Sequence, residues 1–173
     1  MNGIGDPIVG TAVPVWRIAP FDALTVHELQ YIYMARQAVF VVEQQCAFMD
    51  ADGLDERAHH LAAWSPSRCE PLAYARLLGP GAKYAEASIG RVVTTAAGRG
   101  RGLGRETMAR ALAHAAATWP GAVRIAAQSR LEPFYASLGF VIAGPRFIED
   151  GIDHTEMLHP GVALDAARQG SSA

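Results

Sequence analysis

The sequence predicts an α/β domain built on one mixed sheet with helices on its faces. Three observations carry that expectation. Short apolar runs of strand length alternate with segments of helical spacing. A glycine-rich turn joins one such strand directly to one such helix. The chain has 173 residues, half of them hydrophobic, which is material for one domain with a sizeable core. The expected order is strand, helix, hairpin, strand, helix, strand, helix, strand, strand.

Residues 1–14 are rich in glycine and proline and read as a loose arm before a domain over 15–160. Val15–Ile18 is the first expected strand. Thr25 and Glu28 have capping-box spacing, the threonine accepting from the third helical N–H and the glutamate reaching back. The helix they open presents Leu29, Ile32, Tyr33 and Arg36 before the apolar run Val39–Val42, and Glu43–Cys46 closes the unit. Arg36 and Glu43 lie two helical turns apart, the spacing of an ion pair if the helix continues. They would otherwise line an acceptor site.

The acidic stretch Asp50–Asp55 is not an EF-hand: Gly53 comes too early, and Leu61 stands where the closing glutamate belongs. It reads as an exposed acidic turn. His60–Trp64 and Pro71–Leu78 follow as a hairpin around Ser65–Arg68. After the strand at Ile89–Val93, helical spacing from Leu103 to about Thr118 stops at Pro120-Gly121. Val123–Ala127 is a short buried strand. Ser129 and Glu132 have capping-box spacing, Pro133 fits only a first turn, and Gly139 suits the position after a helix end, so Leu131–Leu138 reads as a short helix. Val141–Ile142 and Thr155–Leu158 are the last expected strands, around a turn at Glu149-Asp150-Gly151. The stretch 161–173 reads as a disordered tail.

A net charge of −2 argues against a general nucleic-acid binder. No segment reaches the roughly 18 unbroken apolar residues of a membrane span. Cys46 and Cys69 do not form a C-x-x-C pair and read as reduced thiols, so a cytoplasmic setting is expected.

The stretch Ser88–Arg110 carries the chemistry. A glycine-rich turn opening a helix is an anion site, because the first helical N–H groups lack intrahelical partners and the helix dipole is positive there. Arg99, Arg101 and Arg105 add charge beside it. A Walker loop is excluded, since the sole lysine, Lys83, follows Ala82. The dinucleotide pattern fails as well, because Arg105 and Thr107 stand where its third glycine would fall. What fits is Arg-x-x-Gly-x-Gly, from Arg99 through Gly102 to Gly104.

In this setting the chain resembles the GNAT superfamily of acyl-CoA-dependent N-acetyltransferases, whose pyrophosphate signature has that pattern. A second match is Phe134–Phe140, similar to the F-Y-x-x-x-G-F segment of these domains. A closer resemblance, to the ElaA-like branch, rests on Arg36–Gln44, the acidic turn at Asp50–Asp55, His60, Ile89–Val93, Ala127-Gln128 and Glu149–His154. It spans residues 24 to 158. Asp153 stands where proline is expected. The resemblance implies the GNAT fold, a twisted, mostly antiparallel sheet of six to seven strands.

It also implies acetyl-CoA as co-substrate, no metal, and a small-molecule or peptide amine as acceptor. No nucleic acid or membrane partner is implied, and a homodimer is left open. Gly100, Arg101, Gly102, Leu103 and Gly104, with Arg99 and Arg105, would hold the pyrophosphate. Val92, Val93 and Thr94 would run beside the pantetheine, the Val93 N–H facing the thioester carbonyl. Tyr135 would be the acid for the departing thiolate, its phenol lying near a thiol in pKa. A core tyrosine on an amphipathic helix accounts for the same residue without the resemblance. His60, His154, Glu43 and Glu86 are candidates for the base, with histidine best suited to neutral pH. Some relatives use a glutamate where this chain has Ser88, and a water chain is the alternative. Competing readings are an acyl-homoserine-lactone synthase-like acyltransferase and a non-catalytic acyl-CoA-binding module.

Overall fold

The structure, a computed structural model, describes residues 13–67 and 69–161. The expected arm falls almost wholly outside them, as do Arg68 of the hairpin turn and all of the expected tail beyond Gly161. Seven strands form a single sheet: β1 (Val15–Pro20), β2 (Ala58–Trp64), β3 (Pro71–Leu78), β4 (Ala87–Thr94), β5 (Val123–Gln128), β6 (Val141–Glu149) and β7 (Ile152–His159). Three α-helices accompany them: α1 (Val26–Arg36), α2 (Leu103–Thr118) and α3 (Glu132–Ala136). The spatial order is β1-β2-β3-β4-β5-β7-β6. Every neighbouring pair is antiparallel except β4 and β5.

Both faces of the central strands are covered, and β3 is accordingly buried at every residue. On one face, Met108, Ala111 and Ala115 of α2 pack on Leu77, Ile89, Ile125 and Met157. On the other, Ile32 of α1 and Val39 beyond it pack on Ala62, Trp64, Tyr74 and Val93. The last two strands are longer than their apolar residues suggested. They meet at Asp150 and Gly151, with φ of 50° and 78°, values that suit a tight hairpin turn.

The Thr25–Glu28 capping box forms in full. Past Arg36 the chain leaves the α-helix for a π-helical segment, Gln37–Glu43, closed by the Gln44 N–H donating to Val39 O. This wider winding breaks the two-turn spacing, and the expected Arg36–Glu43 ion pair does not form. Arg36, fully buried, pairs instead with Asp50 and Asp55 at 2.8 and 2.6 Å.

The acidic stretch is therefore an exposed turn only in part: Ala51, Asp52 and Gly53 are exposed, while both ends turn inward. Asp50 and Asp55 are 6% and 3% exposed and neutralise a buried cluster of Arg36 and Arg76. Unpaired, such charges would be prohibitive inside the protein. The Ser129–Glu132 box is also absent. Ser129 Oγ pairs with Thr155 Oγ1, while Glu132 takes a hydrogen bond from Thr155 and an ion pair with Arg146. A 3-10 turn, Ser129–Leu131, leads into α3, which starts one residue later than the expected helix and ends two residues sooner. The end of α3 is a Schellman closure: Phe140 N–H donates to Tyr135 O and Gly139 N–H to Ala136 O, with Gly139 at φ 91°.

Candidate active site

Among the described residues, the one parallel junction in the sheet opens the candidate site. Strands β4 and β5 pair at Ala87–Val123 and Ser88–Arg124 and nowhere beyond. From Ile89 onward the β5-facing edge of β4 has no strand partner among the described residues. A β-bulge marks the departure, since β4 spends three steps from Gly90 to Val93 where β3 spends two from Arg76 to Tyr74. Arg91, inside the bulge, sits at φ 50°.

A cleft of about 400 Å³ runs through this opening. Val92, Ile125, Tyr135, Gln128, His154 and Phe48 are among the residues that line it. Its walls are tied across the chain. Gln128 Nε2 donates to Gln44 Oε1 at 3.0 Å, and Cys46 Sγ donates to Asp150 O at 3.3 Å. These contacts join the end of the π-helical segment to β5 and to the β6–β7 turn. Sequence reasoning passed over Gln44, Cys46 and Arg91, whose partners lie on distant elements.

At the far end of β4 the chain makes a 3-10 turn, Ala96–Gly98, and enters α2 through the glycine loop. Gly100 and Gly102 both have φ 73°, with open space where a Cβ would stand. Their requirement is conformational, with the surface above them left clear. Gly102 is the helix N-cap and has no side chain to cap with, and the first helical bond is Glu106 N–H to Gly102 O. The amides of Leu103, Gly104 and Arg105 precede that bond, so they lack intrahelical partners, as expected of such a terminus. A Cβ on Gly104 would stand 3.4 Å from Thr94 Oγ1, so β4 passes close beside this helix end. Gly98 was not singled out from the sequence, yet a Cβ there would meet Leu72 O at 2.1 Å.

The flanking arginines are engaged. Arg99 donates from Nε to Thr94 O and pairs through Nη2 with Glu43 at 2.5 Å. Arg105 donates to Ser137 Oγ at 2.8 Å and lies over the Phe134 ring. Arg101 lies in the turn between Gly100 and Gly102 and is engaged as well.

Of the proposed acid and base residues, two line the cleft. Tyr135 is 7% exposed, and its hydroxyl makes no hydrogen bond to another described residue. Burial pushes its phenol up to about 12, well above an ordinary thiol, so the expected near match does not hold in the resting site. His154 places Nδ1 2.9 Å from Ile152 O. A carbonyl only accepts, so Nδ1 carries the proton and Nε2 is the acceptor. Its ring stacks on Phe147.

The other candidates are held elsewhere. His60 is 1% exposed, with Nε2 donating to Asp55 O and Nδ1 accepting from the Tyr74 hydroxyl. Burial lowers its pKa, and it does not reach the cleft. Glu43 belongs to the Arg99 pair, and Glu86 is held by two hydrogen bonds from Arg124. Ser88 and Val92 do line the cleft, whereas Val93 turns its side chain into the core beneath α1. Among the described residues, no group of three or more metal-binding side chains comes together, and no helix is long and apolar enough to cross a membrane.

Comparison with known proteins agrees with this architecture. The family model described as "Acetyltransferase (GNAT) domain" matches residues 40–159. A UPF0039 protein of Synechocystis is 38% identical over 144 residues, covering 83% of this chain and 93% of that protein. Protein ElaA of Escherichia coli is 36% identical over 145 residues, covering 82% and 94%. Its crystal structure superposes with a TM-score of 0.78, covering 84% of this chain and 99% of that one. An acyl-CoA N-acyltransferase from Pseudomonas aeruginosa is 40% identical with a TM-score of 0.80, at the same coverage of 84% and 99%. With its sheet split between β4 and β5 and its glycine-opened helix, the chain belongs to the GNAT acetyltransferase family.

Proposed function

We propose that this protein is an N-acetyltransferase that moves an acetyl group from acetyl-CoA to a primary amine by direct attack in a ternary complex. The observation that carries the reading is the unpaired edge of β4, which ends at Thr94 beside the uncapped N-terminus of α2 and at Ile89–Val92 lines the cleft holding Tyr135 and His154. An elongated ligand with an anionic end and a linear amide-bearing arm suits that edge. Acetyl-CoA, when bound, supplies the acetyl group as a thioester.

The amides of Leu103, Gly104 and Arg105 hold the pyrophosphate, and Arg99 and Arg105 add charge at its edge. The free edge at Val92–Thr94 pairs with the pantetheine arm as a strand would, and the Val93 N–H stabilises the developing oxyanion. His154 Nε2 takes a proton from the ammonium before attack, or from the amine nitrogen as it bonds to the carbonyl carbon. Tyr135 donates its proton as the C–S bond breaks. The apolar surroundings that push its phenol up also make a thiolate there more basic, which narrows the gap for that transfer.

The test is release of free CoA from acetyl-CoA with a panel of primary amines: polyamines, amino acids, aminoglycosides and peptide N-termini. Amine-dependent release is expected for at least one class. Acetyl-CoA binding without turnover on any amine would favour a non-catalytic binding module.

A further inference from the structure

Arg91 occupies a backbone conformation that its own chemistry disfavours. At φ 50° within a β-bulge it stands in the left-handed region, where glycine is usual and a side chain is strained. Nothing local relieves this, since Gly90 lies next to it and Val92 follows. The relief comes from the acidic loop. Arg91 Nη2 donates to Asp50 O at 3.1 Å and to Asp52 Oδ2 at 3.2 Å. Its Nε stands 2.8 Å from Asp50 Oδ1, close enough for an ion pair though not aligned as a hydrogen bond. The guanidinium also lies 5.3 Å from the centre of the Phe48 ring.

These partners are themselves fixed. Asp50 is buried against Arg36, and Asp52 takes two hydrogen bonds from Arg76. The bulge is thus clamped to a rigid, charge-balanced loop. It holds Arg91 and Val92 between Gly90 and Val93, and it follows within a few residues of Ser88, the last residue of β4 paired with β5. We infer that Arg91 is a positioning residue: the clamp of Asp50, Asp52 and Phe48 holds it in the left-handed conformation, which aims the following β4 amides at the acyl group. This rests on the acetyltransferase reading above. It also makes the loop carrying Phe48 and Asp52, which line the cleft, part of the apparatus that sets the donor strand.

The clamp predicts an order of activity that neither size nor charge would produce. Glycine adopts φ 50° freely, asparagine tolerates it, and alanine resists it. The kcat for amine-dependent CoA release is measured for Arg91→Gly, Arg91→Asn and Arg91→Ala, with acetyl-CoA affinity by calorimetry and melting temperature as companions. All three variants lose the clamp, so the expected result is a lower kcat in each: a few-fold for Gly, which still adopts the conformation freely, about tenfold for Asn, and about thirtyfold or more for Ala, with acetyl-CoA affinity little changed. Should Arg91→Ala fail to fold, the Gly-to-Asn comparison decides, since Asn must still be the slower. Three variants with equal kcat, or Gly as impaired as Ala, would overturn the proposal. Wild type that neither binds acetyl-CoA nor acetylates any amine would overturn the reading beneath it, a result distinct from a flat series on an active enzyme.

Discussion

Arg99 Nη2 holds Glu43 Oε2 at 2.5 Å, so the π-helical segment ending at Glu43 is tied to the loop that opens α2. Both side chains are well exposed, and the pair itself contributes little to stability. Its consequence is functional. Arg99→Ala is expected to weaken acetyl-CoA binding about tenfold, the scale of one charge-assisted hydrogen bond. Glu43→Gln is expected to leave affinity equal or a few-fold tighter, because a competing carboxylate leaves the guanidinium, and to leave kcat within about threefold. Calorimetry and steady-state kinetics read both. A large loss of kcat at unchanged affinity in Glu43→Gln would make Glu43 the base.

Tyr135 and His154 separate by the step they serve. Tyr135→Phe is expected to lower kcat about 100-fold, the scale of general acid–base catalysis, with acetyl-CoA affinity unchanged. His154→Gln should lower kcat similarly, and a more nucleophilic, already deprotonated amine should recover part of the rate. Activity unaffected by Tyr135→Phe would remove that hydroxyl from the mechanism.

The glycines around the loop differ in why they are glycines, and stability measurements distinguish the two causes. Gly98→Ala drives a methyl against the Leu72 carbonyl, 2.1 Å away, in backbone that has little room to move. A loss of about 3 kcal/mol is expected from this overpacking. Gly100→Ala meets open space and suffers only its φ of 73°, a cost of about 1 kcal/mol. Urea unfolding of the two variants should rank them in that order, and equal losses would refute the distinction.

Stability should also fall in two steps as the solution is acidified. Burial lowers the pKa of His60, His114 and His159, and for His114 the neighbouring His59, 2.7 Å away, lowers it further. An unfolded chain takes up protons at these histidines near pH ~6.5 while the folded protein resists, so stability declines from about pH 6.5 downward and is constant above. A second loss begins below about pH 4. There the unfolded chain takes up protons at Asp52 and Asp55 while the folded protein resists: burial raises both carboxyls, but hydrogen bonds from Arg76 and Arg36 outweigh it and hold them low. Urea midpoints at pH 7.5, 5.0 and 3.5 should fall in that sequence. His114→Gln should reduce the first drop, and a midpoint that does not change between pH 7.5 and 5.0 would contradict the account.

The sequence showed most where the physics is local. The Thr25–Glu28 box and the turn into α2 each lie within a few residues, and both could be read directly. Arg36 could not be placed, because its partners Asp50 and Asp55 lie 14 and 19 residues away on another segment. The same distance hid the meaning of the acidic stretch, which spells an exposed turn until three arginines fold onto it. Ser129 and Glu132 spell a capping box as clearly as Thr25 and Glu28 do. Thr155 and Arg146, brought in by β7 and β6, simply offer better partners. Nothing in the letters around Arg91 announces a left-handed residue in a strand.

The central claim is that the glycine loop and the split sheet bind acetyl-CoA, and titration calorimetry with acetyl-CoA on wild type and Gly102→Val tests it most directly. Gly102 sits at φ 73° beneath open space, so valine there both strains the N-cap and covers the anion site without touching the core. The account predicts saturable binding to wild type, none detectable to Gly102→Val, and a variant that still melts cooperatively. Wild type that fails to bind acetyl-CoA, or a variant that binds it equally well, would contradict it.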